Sequence, residues 1–143
     1  MRAWGLGAKR ELWTADTDAL SLSAYTLLSR IGDAGWRQDT SRVALAYSHE
    51  GAGPLGWHVN LGHERDHRAG HGSTVWGLAG QYDGPAGLTP VLEAYGDDRE
   101  PPWWNAGLRW RALPGRLQFD VAYGRQLSGS APSLLTVGLK LSL

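Results

Sequence analysis

The chain has no cysteine, one methionine and one phenylalanine in 143 residues. Without cysteine there is no disulfide framework, no thiolate zinc site and no thiol nucleophile. Charge of one sign is missing too: 14 Lys and Arg balance 14 Asp and Glu. That balance excludes the basic footprint of a nucleic-acid binder and the acidic solvating tail. No apolar run approaches the ~18 residues that mark a transmembrane helix. The opening Met1–Gly7 lacks the apolar core of a secretory signal. What the chain does have is glycine (20), tryptophan (8) and tyrosine (5). Trp and Tyr join an apolar body to a polar tip and collect where one side is oily and the other wet.

The dominant hydrophobic period is two, the period of a half-buried strand, and not the 3.6 of a helix. Leu135, Val137, Leu139, Leu141 and Leu143 share one face of the last segment, with Thr136, Gly138, Lys140 and Ser142 on the other. Leu117, Phe119, Val121 and Tyr123 alternate with Gln118, Asp120, Ala122 and Gly124. Trp104, Ala106, Leu108 and Trp110 alternate with Trp103, Asn105, Gly107, Arg109 and Arg111. Further strands are expected near 87–97, 73–83, 55–66, 39–50, 18–31 and 2–13, nine in all. Several run to ten residues or more, beyond the ~5–6 of an ordinary globular strand and close to the ~9–11 that a tilted strand needs to cross a bilayer.

Turn chemistry separates them: Asp16–Asp18, Gly51–Pro54, Asp83–Gly87 and Leu113–Gly115 alternate with Gly32–Asp39, His67–Gly72, Asp97–Pro102 and Ser128–Pro132. The second set is on the whole longer and more charged, as outer loops are against periplasmic turns in bacterial outer-membrane barrels. The expected fold is therefore all-β: one antiparallel up-and-down transmembrane β-barrel domain over residues 1–143, with 8–10 strands. Such barrels have even strand numbers. Nine strands imply either that the first lies outside the wall or that the chain is part of a larger barrel. In the second case its open edges are a pairing liability, and self-association is expected.

If the last strand ends on the periplasmic side, strand directions follow and the aromatics sort by height. Trp76, Trp104 and Tyr123, with Trp4, fall near the outer rim; Tyr47, Trp57, Tyr82 and Trp110 fall near the inner rim. Between them lie Leu6, Ala8, Leu22, Ala24, Leu45, Val59, Leu61, Leu78, Leu92, Leu108, Phe119, Val121, Val137 and Leu139. Two aromatic girdles around an aliphatic band are what a membrane barrel turns to lipid. The opposite face carries Arg42, His58, Asn60, Glu64, Glu93, Asn105, Arg109, Arg111, Asp120 and Lys140. Enclosed charges must be paired or hydrated. Glu93, Arg109, Asp120 and Lys140 alternate in sign on neighbouring strands, which predicts a charge ladder in the lumen with Arg111 beside it. Gly107, Ala122, Gly124 and Gly138 on that face read as relief for the bulky side chains. A soluble lipocalin-like barrel, with the same alternation turned inside out, is the alternative.

The segments Leu88–Asp98 (LTPVLEAYGDD), Trp103–Trp110 (WWNAGLRW) and Pro114–Gly124 (PGRLQFDVAYG) resemble a family of outer-membrane transporters named for the MetA pathway of phenol degradation. So do the closing Val137–Leu143 (VGLKLSL) and the hairpin Gly53–His63 (GPLGWHVNLGH). Members of that family are usually longer, so the resemblance places this chain at their C-terminal part. It departs from such barrels in ending on Leu143, where an aromatic is usual. The resemblance implies passage of small or hydrophobic molecules through a bacterial outer membrane.

Other signals are weaker. Five histidines, His49, His58, His63, His67 and His71, cluster in sequence. His63, His67 and His71, with Glu64 and Asp66, are the candidates for a Zn or Cu site, although alternate strand positions point apart. Gly51–Gly56 matches G-x-G-x-x-G, but Pro54 leads into a strand and not a helix, so no dinucleotide loop is expected. No G-x-S-x-G elbow and no H-E-x-x-H helix exist. Ser73 with His71 or His67 is the only corner resembling a hydrolase, and Asp97, Asp98, Arg99 and Glu100 read as loop solvation. The expectation is a porin-like, non-enzymatic membrane protein without cofactor. Its partners would be the lipid bilayer and small hydrophobic solutes, and an enzymatic or structural role for a small barrel is the other alternative.

Overall fold

Alternating residues and turn formers resolve into nine strands in the computed structural model, which describes residues 2–30, 32, 35–51, 53–128 and 132–142. They are β1 (Arg2–Thr14), β2 (Asp18–Arg30), β3 (Arg37–Glu50), β4 (Leu55–Asp66), β5 (His71–Tyr82), β6 (Leu88–Asp97), β7 (Trp103–Leu113), β8 (Leu117–Gln126) and β9 (Ser133–Leu141). All belong to one sheet in the order β1 to β9, each antiparallel to the next. The fold is an all-β meander of the barrel-like class. Leu143 lies outside the described residues.

The turns follow local chemistry. At the β4–β5 turn the Gly70 amide donates to the Asp66 carbonyl (3.0 Å) with Gly70 at φ +74. Only glycine takes that left-handed conformation without strain. Between β5 and β6 a single 3-10 turn, Pro85–Gly87, reverses the chain. Gly87 is required there twice over, by its φ of +73 and because a Cβ would stand 2.7 Å from the Arg111 carbonyl oxygen. The glycines of Gly51–Gly56 belong to the β3–β4 hairpin, as Pro54 predicts. By residue count 31–36 and 127–132 at one end are longer than 15–17 and 114–116 at the other, but 67–70 equals 51–54 and 98–102 equals 83–87. The expected asymmetry between the two ends is partial.

Residues directly opposite in an antiparallel pair point to the same face, so the register sorts every strand. Leu139 faces Phe119, Val137 faces Val121, and Val121 faces Leu108. Leu92 faces Ala106 and Gly80, Leu78 faces Val59, and Leu61 faces Leu45. Leu45 faces Leu22, and Ala24 faces Ala8. The whole expected aliphatic band therefore shares one face. Among the described residues no hydrophobic side chain is buried: Val137 is 76% exposed, Leu139 67%, Val121 44% and Leu108 42%. The other face is concave, since one cavity is lined at once by Ser23 of β2 and Trp103 of β7.

The sheet is open. Among the described residues β1 pairs only with β2 and β9 only with β8. With nine antiparallel strands the two edges run in the same direction. A cylinder closed by antiparallel pairs throughout is therefore out of reach of these nine strands alone.

Candidate functional site

The expected aromatic rows stand on the apolar face. Trp104 and Tyr123 meet edge-on at 5.8 Å at one end, while Tyr47 and Trp57 (5.0 Å) and Trp110 and Phe119 (5.8 Å) pair at the other. Both rows cross the register obliquely and in the same sense. Trp104 faces Ala94, and Ala94 faces Leu78, two positions down β5 from Trp76. In the other row Trp57 faces Gly80, two positions up β5 from Tyr82. A row level in a membrane must cut across the hydrogen-bond register when strands tilt, as they do in barrels. From β2 to β9 no charged side chain occupies the apolar face between the rows among the described residues, whereas on β1 Arg10 stands opposite Leu22 of the band. The other arginines of that face, Arg2, Arg30, Arg65 and Arg125, lie toward the strand ends, where long cationic side chains reach water.

On the concave face several charges are paired, but not in the order that the sequence suggests. Arg109 Nε donates to Asp120 Oδ1 (2.9 Å), and Gln118 Nε2 donates to Asp120 Oδ2 (2.7 Å). Glu93 does not meet Arg109. The register sets Arg109 opposite Thr89 and Glu93 opposite Asn105, and Asn105 Nδ2 donates to Glu93 Oε2 (3.1 Å). The expected four-strand ladder therefore breaks between β6 and β7. Lys140 lies opposite Gln118, and the concave-face partner opposite Asp120 is Gly138. Arg111 turns to the β5–β6 turn, donating to Asp83 Oδ1 (2.6 Å). Glycine relief is real at Gly124, where a Cβ would fall 1.9 Å from Asn105 Oδ1. The missing side chain there is what lets Asn105 lie across the sheet toward Glu93.

A further ion pair is legible from hairpin register. Counting equal steps back from the 51–54 turn sets Arg42 opposite Glu64, and Arg42 Nη2 lies 2.7 Å from Glu64 Oε2. This pair borders the main cavity of the concave face, about 490 Å3, whose floor is bare at Ala44, Gly62 and Gly77. Tyr95 and Trp103, opposite each other on β6 and β7, line it at the end carrying loop 98–102. A smaller recess of about 140 Å3 lies beside Glu93, Asn105, Arg109 and Asp120.

The histidines are dispersed. His63 shares the apolar face with Val43, and His71 faces Asp66 on the other. His67 Nε2 lies 2.9 Å from Ser41 Oγ, so it is engaged away from Ser73, and no serine–histidine corner forms with it. Among the described residues no three metal-ligating side chains gather. His49 Nδ1 lies 2.8 Å from Asp18 Oδ1, and His58 Nδ1 lies 2.9 Å from Ser48 Oγ.

Three carboxylates outside the aromatic rows are held ionised by donors. Asp18, at the 15–17 turn, accepts from the Tyr47 hydroxyl, from His49 and from the Thr17 hydroxyl, which bring its pKa down to about 2. Asp39 is lowered by Ser29 and the Arg68 guanidinium. Asp66 is lowered chiefly by the Ala69 amide and then by that of Arg68. These bonds stitch the rims, tying β2 to β3 at one end and loop 67–70 to β3 at the other.

One family model matches, described as Uncharacterised conserved protein UCP029691, over residues 3–143. None of the curated proteins and none of the solved structures matches the chain.

Proposed function

We propose, for a chain that belongs to the UCP029691 family, that it forms the membrane-spanning wall of a bacterial outer-membrane β-barrel, serving passive passage of small or hydrophobic molecules. The observation that carries this reading is the apolar face: exposed along its aliphatic band, free of charge between two oblique aromatic rows from β2 to β9, and backed by no buried hydrophobic side chain among the described residues. Covering a Val, Leu or Phe side chain is worth ~1.5–3 kcal/mol, so about ten left in water forgo roughly 20 kcal/mol. That exceeds the ~5–15 kcal/mol net stability of a folded domain. A bilayer supplies the missing cover at the right height, since strands of nine to 14 residues meet or exceed the ~9–11 needed to span it. The resemblance to the phenol-pathway outer-membrane transporters points the same way. The soluble lipocalin-like alternative needs Leu108, Val121 and Leu139 inside, and they are on the opposite face from the cavity.

Under this reading the concave face lines the path. Arg42–Glu64, Arg109–Asp120 and Arg111–Asp83 neutralise part of its charge in pairs, and the chain performs no chemistry. The free edges of β1 and β9 are expected to recruit further strands or a second copy. Folding the full chain into lipid vesicles and then measuring planar-bilayer currents tests both parts. Expected are lipid-dependent Trp fluorescence, resistance to carbonate extraction and a steady conductance. A monomer that stays folded in water, with fluorescence blind to lipid, overturns the membrane assignment. Absence of current from inserted protein overturns passage.

A further inference from the structure

The concave face carries three aromatics that neither the girdles nor the ion pairs account for, Tyr25 opposite Arg42 and two that share a cavity. Tyr95 and Trp103 stand opposite each other across β6 and β7 and line the 490 Å3 cavity, a volume within the roughly 300–1,000 Å3 of small-molecule sites. The floor beneath them is Ala44, Gly62 and Gly77, which leaves a flat ring room to enter. The charge around the cavity is unbalanced. Its one lining cation, Arg42, is spent on Glu64 at 2.7 Å. Asp97 and Glu100, also lining it, have no ion-pair partner among the described residues. The neighbouring Arg99 guanidinium is turned away, donating to the Gly72 carbonyl at 2.7 and 3.1 Å. Asp97 Oδ1 accepts from the Arg99 and Glu100 amides (2.7 and 2.9 Å) but meets no cation, and aromatic faces beside carboxylates without an ionic partner attract a cation whose hydration shell is weak.

We propose that this cavity is a binding site for small organic cations, quaternary or aromatic ammonium compounds, held against Trp103 and Tyr95 with Asp97 and Glu100 supplying the countercharge. The inference rests on the proposed function only in taking the concave face as the one that solutes meet.

The test uses the full chain folded in detergent micelles, titrated calorimetrically with benzyltrimethylammonium, benzyl alcohol and benzenesulfonate. Expected is saturable binding of one cation per chain, at least about tenfold tighter than the neutral or anionic probe and weakened by salt. Trp103→Ala should weaken it about tenfold and Glu100→Gln about threefold, while Tyr95→Phe, which keeps the ring, should change little. Equal binding of all three probes, no saturable binding up to millimolar cation, or indifference to Trp103→Ala would overturn the site. A chain that inserts into vesicles but ignores the cation loses this inference and keeps the membrane reading. One that binds the cation without inserting loses the membrane reading and keeps the site.

Discussion

Leu108 and Arg109, Val121 and Asp120, and Leu139 and Lys140 are chain neighbours that answer to opposite surroundings. The first of each pair stands on the convex face, more than two-fifths exposed and surrounded by side chains of its own kind. The second stands on the concave face, where Arg109 and Asp120 meet at 2.9 Å and Lys140 lies opposite Gln118. Most β domains bury their oily face and wet their polar one; here the oily face is uncovered and the polar face is the concave one. The strand backbone is the same for both, so the environment that each face requires is written in alternate residues.

Placing a charge on each face in turn is the harshest trial of that contrast. Leu108→Arg is expected to cost ~2–4 kcal/mol in vesicles, the price of a cation near the bilayer midplane. Thr136→Arg, on the concave face opposite Ala122, should stay within about 0.5 kcal/mol. Urea unfolding of vesicle-folded chain, followed by Trp fluorescence, gives both numbers. If the two variants unfold alike, the faces do not differ in environment and the membrane assignment goes with them.

Much of this contrast is readable from residue order because a two-residue period leaves little freedom. Each of the nine strands falls within a few residues of where its alternation ends, and every aliphatic position of the band lands on the expected face. What alternation does not encode is register. A bulge between Glu11 and Trp13 resets β1, another between Leu27 and Leu28 resets the β2–β3 pairing, and a third between Trp110 and Leu113 interrupts β7. The Glu93–Arg109 rung failed for a related reason. Opposite signs on neighbouring strands do not meet unless turn length brings them level, and the 98–102 loop levels Glu93 with Asn105. Arg42–Glu64 could have been found by the same count from its hairpin turn. The Tyr95–Trp103 mouth was half legible: Trp103 reads as facing away from Trp104, but its cavity depends on curvature, which no local pattern reports.

Register can be sharpened energetically on the concave face. A double-mutant cycle of Arg109→Ala with Asp120→Ala should return a coupling of about 0.5–1 kcal/mol, the range of partly exposed ion pairs. The cycle of Glu93→Ala with Arg109→Ala should return about zero, within the additivity error of separated sites. Equal couplings would restore the continuous ladder and refute the pairing described here. Unfolding free energies in the same vesicles supply both cycles.

The smallest expected effect lies at the rim, where neither face dominates. Asp18 is held down at about 2 by the Tyr47 hydroxyl first, with His49 and Thr17 behind it, against an ordinary value of 3.8. Its folded form binds a proton less readily than its unfolded form, so it contributes stability in full above about pH 4. That contribution drains away as pH falls toward 2 and is gone below it. Asp18→Asn removes the titrating group, so the variant should start less stable at neutral pH and fall less steeply between pH 4 and pH 2 than the parent. Because Asp18 sits in water beyond the aromatic row, the difference should be modest and should not depend on lipid thickness. A variant whose acid limb superimposes on the parent's would show that the Tyr47, His49 and Thr17 bonds do not stabilise the turn, leaving the rim to be held by register alone.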